Sequence, residues 1–198
     1  MTIWFRGGIG RSIAAQMEGD WSGPPVVIIH APGTPPLADD AVSVLGRWGY
    51  LTISIDVRPA GMAASGASAV PALRPQRRVL VPTSADLCGL VDQIGGKAAL
   101  IAGSRIGLPI AATMRALGGA CTAVVVVQHA GAQGIATDLT CQVHELGLPS
   151  TPVLTVEPPR SAQGTVLSTI LSFLQRVHGL PQAVGGPDQG AKLAGRRQ

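Results

Sequence analysis

The chain lacks long hydrophobic runs and cysteine pairs, and it has few aromatic residues. Its 198 residues contain no apolar stretch near the roughly 18 residues that a membrane-spanning helix needs. The three cysteines are odd in number and form no CxxC pair, which argues against a disulfide framework or a structural zinc site. We predict that Cys88, Cys121 and Cys141 are small reduced residues of the core.

The charge pattern gives little support for a nucleic-acid partner, although the net charge is +4. The local basic cluster, Arg74, Arg77 and Arg78, lies in a segment without aromatic side chains that could stack on bases. We therefore expect a small-molecule substrate, with neither nucleic acid nor a membrane as partner, and leave a homodimer open. Residues 1–12 lack the continuous apolar core of a secretory signal, so the expected compartment is cytoplasmic.

Short apolar runs alternate with helical patterns, which is typical of an α/β fold. Strands are predicted at 26–29, 51–55, 98–102, 122–127 and 152–156, with a short edge strand at 2–6. Helices are predicted at 35–48, 84–94, 107–117 and 138–146, and a final helix begins at Gly164 and ends before Gly179. This order predicts a doubly wound, mostly parallel sheet with helices on both faces.

Residues 1–178 are expected to form a single domain, because no second core or internal repeat is present. Residues 57–82 are rich in small residues, proline and arginine without a clear period, so we interpret them as an excursion over the mouth of the sheet. Residues 179–198 have no apolar period and are expected to form a disordered tail.

Two motifs in the first half resemble the α/β-hydrolases, most closely small dienelactone-hydrolase-like members. One is the run VVIIH, ending at His30 and followed by Gly33; the other is the strand end IDVR, which contains Asp56. The matching nucleophile turn is LIAGSRIG, residues 100–107. The resemblance implies a truncated α/β-hydrolase-like fold over residues 24–178. It also implies chemistry on an ester, thioester, lactone or related carbonyl compound.

The nucleophile turn can be aligned in two registers. Such a turn needs small residues two before and two after the nucleophile, so that strand and helix can approach each other. If the strand end sets the register, Ser104 is the nucleophile, Ala102 is the first flanking residue, and Ile106 departs from the pattern. In the other register both flanking residues are glycine, but Arg105 occupies the nucleophile position and cannot attack a carbonyl carbon.

The resemblance also implies an oxyanion hole built from two backbone N–H groups. Arg105 would donate the first, and the second would come from the turn that contains His30 and Ala31. If Pro32 takes that donor position, no N–H is available. We include His30 and Asp56 among the candidate substrate-binding residues.

The acid and base are not at the positions that the family implies. The acid would fall on Ser161, and the strand that should carry the base is missing, since the final helix follows directly. With the family's strand order, however, Ser104, His129 and Glu157 would follow neighbouring strands at one edge of the sheet. We predict this unconventional triad of nucleophile, base and orienting carboxylate.

Structural roles remain open for the same residues: Ser104 as a helix N-cap, His30 bonding its loop, Asp56 in a turn, and Glu157 as a solvated strand end. A catalytically degenerate binding protein is an alternative function, as is a lyase, isomerase or cyclase in which Arg105 or His129 polarises a carbonyl. The glycines of residues 6–11 do not form a dinucleotide-binding motif, and no cluster has metal-ligand spacing. No cofactor or metal is therefore expected.

Overall fold

The computed structural model describes residues 1–7, 12–30, 41–56, 83–103, 113, 115–127, 150–156 and 163–181. The side chains of Asp56 and of residues 163–165 are not part of this description. The excursion at 57–82, the helix at 138–146, most of the helix at 107–117 and most of the tail lie outside the described residues.

The described strands form one seven-stranded sheet in the order β1-β2-β4-β3-β5-β6-β7. The strands are β1 (Thr2–Arg6), β2 (Ser12–Glu18), β3 (Pro25–His30), β4 (Leu51–Asp56), β5 (Ala98–Gly103), β6 (Cys121–Val127) and β7 (Val153–Val156). β2 pairs antiparallel with both β1 and β4, and the other pairs are parallel. The predicted strands are confirmed, whereas β2 was not predicted.

The described α-helices that cover the two faces of this sheet are α1 (Ala41–Arg47), α2 (Ser84–Gln93) and α3 (Gln163–His178). Alternate residues of each strand enter different cores. Leu87, Leu90 and Val91 of α2 pack in one core with Leu100 of β5. The other core joins α1 and α3 to the opposite face, where the neighbouring Ile101 is buried. The doubly wound architecture is therefore confirmed.

The central strands are apolar on both faces because each face is covered by helices. In β3, four successive residues from Val26 to Ile29 are at most 2% exposed. Burying an aliphatic side chain of this size stabilises the fold by about 1.5–3 kcal/mol. The continuous apolar runs of the sequence are thus the interior of the sheet.

Helix α2 begins with a capping box. The Thr83 hydroxyl accepts a hydrogen bond from the Asp86 N–H at 3.3 Å, and Asp86 Oδ2 accepts one from the Thr83 N–H at 2.9 Å. These bonds satisfy N–H groups that have no partner within the helix. Thr83 is therefore the N-cap of α2.

The last helix, α3, has an apolar stripe along one face. Val166, Ile170, Phe173 and Leu174 are all buried, and Gly179 follows the helix with a φ of +66°. A residue without a Cβ favours this left-handed conformation, so the helix ends where the glycine predicts. In the described part of the chain, no helix has both the length and the apolar character needed to cross a membrane.

Candidate active site

The carboxyl ends of five neighbouring strands lie in one row along the sheet. His30 pairs with Asp56 on one side, and the preceding Ile29 pairs with Ala102, so His30 is level with Gly103. Gly103 in turn pairs with Val127, and Val127 pairs with Val156. Open α/β sheets bind ligands beyond this edge. The row is therefore the candidate active site.

In the sequence, the residues of the predicted triad come just after the strand ends of this row. Ser104 comes one residue after Gly103, Glu157 one residue after Val156, and His129 two residues after Val127. All three lie outside the described residues, as do Ala31 and Arg105, so the geometry among them stays a prediction. The order of the strands that carry them, β5-β6-β7 with β3 before β5, is the predicted order.

Within the row, Gly103 has no side chain and lies between His30 and Val127, which both have one. His30 is half-buried and its side chain or backbone makes an interaction within the protein. Its neighbour across the strand pair is Gly103, which has no side chain, and Val127 beyond it is 4% exposed. Sequence reasoning used Gly103 only to align the turn. Its place beside His30 becomes visible only from the strand register.

The second histidine of the described residues, His178, is not part of this site. Its Nε2 lies 3.0 Å from the hydroxyl oxygen of Thr122, near the start of β6. Thr122 lies five residues before Val127, roughly 17 Å along an extended strand. His178 therefore belongs to the opposite edge of the sheet and cannot serve as the base of the predicted site.

The described cysteines are not activated nucleophiles. Cys121 is 2% exposed, and burial raises the pKa of its thiol to about 12. Burial, together with the nearby Asp92 carboxylate, also raises the pKa of Cys88. A reactive cysteine needs a lowered pKa, because the thiolate is the nucleophile. Both thiols are free; Cys121 has the predicted core position, whereas Cys88 is only half-buried, contrary to the prediction. Cys141 lies outside the described residues.

A polar pocket of about 310 Å³ lies elsewhere, among β1, β2 and α1. Its wall includes Glu18 and Ser43, whose side chains share a hydrogen bond of 3.0 Å. Glu18 pairs with Thr52, near the start of β4, so this pocket is away from the carboxyl edge. Among the described residues, no group of three or more His, Cys, Asp or Glu could hold a metal ion.

Several solved structures are similar in part to this chain. They include epoxide hydrolase A from Mycobacterium thermoresistibile (24% identity, TM-score 0.45) and an esterase from a Rhodococcus species (22%, 0.44). A third is a bromoperoxidase from Bacillus anthracis (21%, 0.43). Each match covers 64% of this chain and 38%, 45% and 44% of the respective structure.

The chain thus spans less than half the length of these three structures. No family model matches the chain, and no curated protein matches it. These partial similarities name neither a substrate nor a nucleophile for this chain.

Proposed function

We propose that this chain is a small α/β-hydrolase-like enzyme that acts on an ester, thioester, lactone or related carbonyl compound. The observation that carries the proposal is the row at the carboxyl edge, where the strands preceding Ser104, His129 and Glu157 are immediate neighbours. Adjacent strands are about 4.8 Å apart. This spacing suits a nucleophile, a base and an orienting carboxylate in series.

The strand end supports Ser104 as the nucleophile. β5 continues through Gly103, which still pairs with Val127, and Ser104 follows Gly103 in the sequence. This is the register in which Ala102, 3% exposed and packed in the core, is the small residue two positions before the nucleophile. The competing register, with Arg105 as the first residue of the turn, requires the strand to continue through Ser104.

In the proposed reaction the Ser104 hydroxyl oxygen bonds to the substrate carbonyl carbon while its proton passes to His129. The bond from carbon to the leaving group then breaks, and the leaving group takes that proton. Water, deprotonated by His129, hydrolyses the acyl-enzyme and restores the serine. Glu157 orients His129, and the N–H groups of Arg105 and Ala31 stabilise the oxyanion. His30 and Asp56, the last residues of β3 and β4, would contact the substrate.

Labelling with a fluorophosphonate, followed by peptide mass spectrometry, tests this proposal. We expect a covalent adduct on Ser104, loss of the adduct in Ser104→Ala, and slower labelling in His129→Gln. Ser84→Ala is the matched control, because Ser84 lies on α2 outside the row, and it should label like the unmodified chain. A folded protein that is not labelled at Ser104 would overturn the proposal and favour a noncatalytic binding protein.

A further inference from the structure

Among the described strands β1 is the last of the sheet, so its outer edge has no partner strand there. Met1 and Met17 exchange two backbone hydrogen bonds, of 2.7 and 2.8 Å, which makes them a hydrogen-bonded pair of the β1–β2 ribbon. In an antiparallel pair such positions alternate. The N–H and C=O groups of Thr2, Trp4 and Arg6 therefore point away from β2, toward the outside of the sheet.

One end of this edge is closed by a side chain of α2. The Gln93 side-chain nitrogen donates to the Arg6 C=O at 3.0 Å, and Gln93 Oε1 accepts from the Arg6 N–H at 3.4 Å. The amide thus takes both outward groups of Arg6, as a neighbouring strand would. No described residue hydrogen-bonds the outward backbone groups of Thr2 or Trp4.

The open part of the edge also carries exposed apolar side chains. Trp4 is 67% exposed and Met1 is 73% exposed. Trp4 lies on the opposite ribbon face from Phe5, Ala15 and Met17. Among the described residues, α1 contacts that face near Glu18, through Ser43. An unpaired edge with exposed apolar residues favours pairing with another strand.

We propose that β1 pairs antiparallel with β1 of a second copy across a twofold axis at Ile3. In this register Thr2 pairs with the partner's Trp4, and Trp4 pairs with the partner's Thr2. Both are hydrogen-bonded pairs, so they satisfy the open backbone groups of both copies. A register centred on Trp4 would need the outward groups of Arg6, which Gln93 already occupies.

Charge complementarity supports a second copy as the occupant. Thr2 pairs with Gln16 of β2, so Glu18 is level with the partner's Arg6 in this register. These positions share one face of the joined sheet and lie two strands apart, about 9.6 Å between Cα atoms. Extended arginine and glutamate side chains span that distance. Because the interface is twofold symmetric, the ion pair occurs twice. Within β1 itself, Arg6 is the sole formally charged side chain.

Sedimentation velocity of the full chain over a concentration series tests the interface. We expect a reversible dimer whose dissociation constant rises at least about tenfold in Trp4→Ala. Trp21→Ala is the matched control, since Trp21 is also exposed (62%) but lies in a turn away from β1. A monomer at all concentrations, or equal weakening by both variants, would overturn the proposal.

A charge exchange tests the register independently of the tryptophan. Arg6→Glu and Glu18→Arg should each weaken the dimer, and the double variant should restore it because the ion pair is re-formed with reversed signs. Ser43→Ala controls for the loss of the hydrogen bond from Ser43 to Glu18. A double variant no tighter than the single variants would show that the copies pair in another register or through another surface.

Discussion

His178 and Thr122 join the end of the last helix to the sheet: the ring nitrogen Nε2 lies 3.0 Å from the threonine hydroxyl oxygen. The ring also packs against Tyr50, with centroids 5.7 Å apart. Burial lowers the pKa of His178 below its usual value. The folded protein therefore holds this imidazole neutral over part of the range in which the unfolded chain protonates it.

This difference predicts a loss of stability in mild acid. Below a pH of about 6.5 the unfolded chain binds a proton at His178 that the folded chain does not, so the free energy of unfolding falls as the pH drops toward the lowered pKa. Urea unfolding should show a lower midpoint at pH 5.5 than at 7.5. In His178→Gln the difference should shrink, and an undiminished difference would assign the effect to other groups.

Tyr50→Phe is expected to leave the protein as stable as before or to stabilise it. The Tyr50 side chain is fully buried, its hydroxyl has no hydrogen-bond partner among the described residues, and burial raises its pKa to about 12. Removing a buried polar group without a partner removes a desolvation cost. Thermal unfolding provides the measurement, and a clear fall in the melting temperature would reveal a partner for this hydroxyl.

Thr83→Ala should destabilise the fold through helix α2. The substitution removes the hydroxyl that accepts from the Asp86 N–H and also donates to the Asp86 carboxylate at 2.9 Å. Losing such a cap costs about 1 kcal/mol. Thr83→Ser keeps the hydroxyl and is the control, which should unfold close to the unmodified chain. Equal losses in the two variants would mean that the methyl group, not the cap, matters.

Ile106→Gly should raise the hydrolysis of simple esters such as p-nitrophenyl acetate, which we expect to be slow in the unmodified chain. A β-branched residue two positions after the nucleophile crowds the strand-to-helix turn. The gained activity should disappear when Ser104→Ala is added. Brisk hydrolysis through Ser104 in the unmodified chain, with no gain from Ile106→Gly, would contradict this account of the turn.

Strong patterns made most of the described fold predictable. The run from Val26 to Ile29 is apolar throughout, which fits a strand buried on both faces. The α3 stripe has a clear helical period, which fits an amphipathic helix. β2 was missed because only alternate residues, Ala15 and Met17, are buried, and polar residues separate them. An edge ribbon with one covered face leaves a weak signal in the sequence.

The sequence predicted which edge of the sheet carries the candidate site, but not how the residues at that edge are arranged relative to one another. The order of β3, β5, β6 and β7 was inferred from the family resemblance and is confirmed, whereas the positions of Ser104, His129 and Glu157 stay a prediction. Gly103 lies level with His30 because of the register between β5 and β3. Residue types along the chain do not reveal this register. The distance of His178 from the site depends likewise on where the last helix ends against the sheet.

The position of β3 between β4 and β5 also has a consequence for how the chain folds. β3 and β4 are close in sequence, but Val26 also pairs with Ala99, far along the chain. Pairing between residues so far apart must first overcome loop-closure entropy, so we expect this central pairing to form late. Until then one edge of the run from Val26 to Ile29, which is apolar and rich in β-branched residues, has no partner strand. Refolding yield should therefore fall steeply with protein concentration, because this edge can pair between chains before β5 covers it.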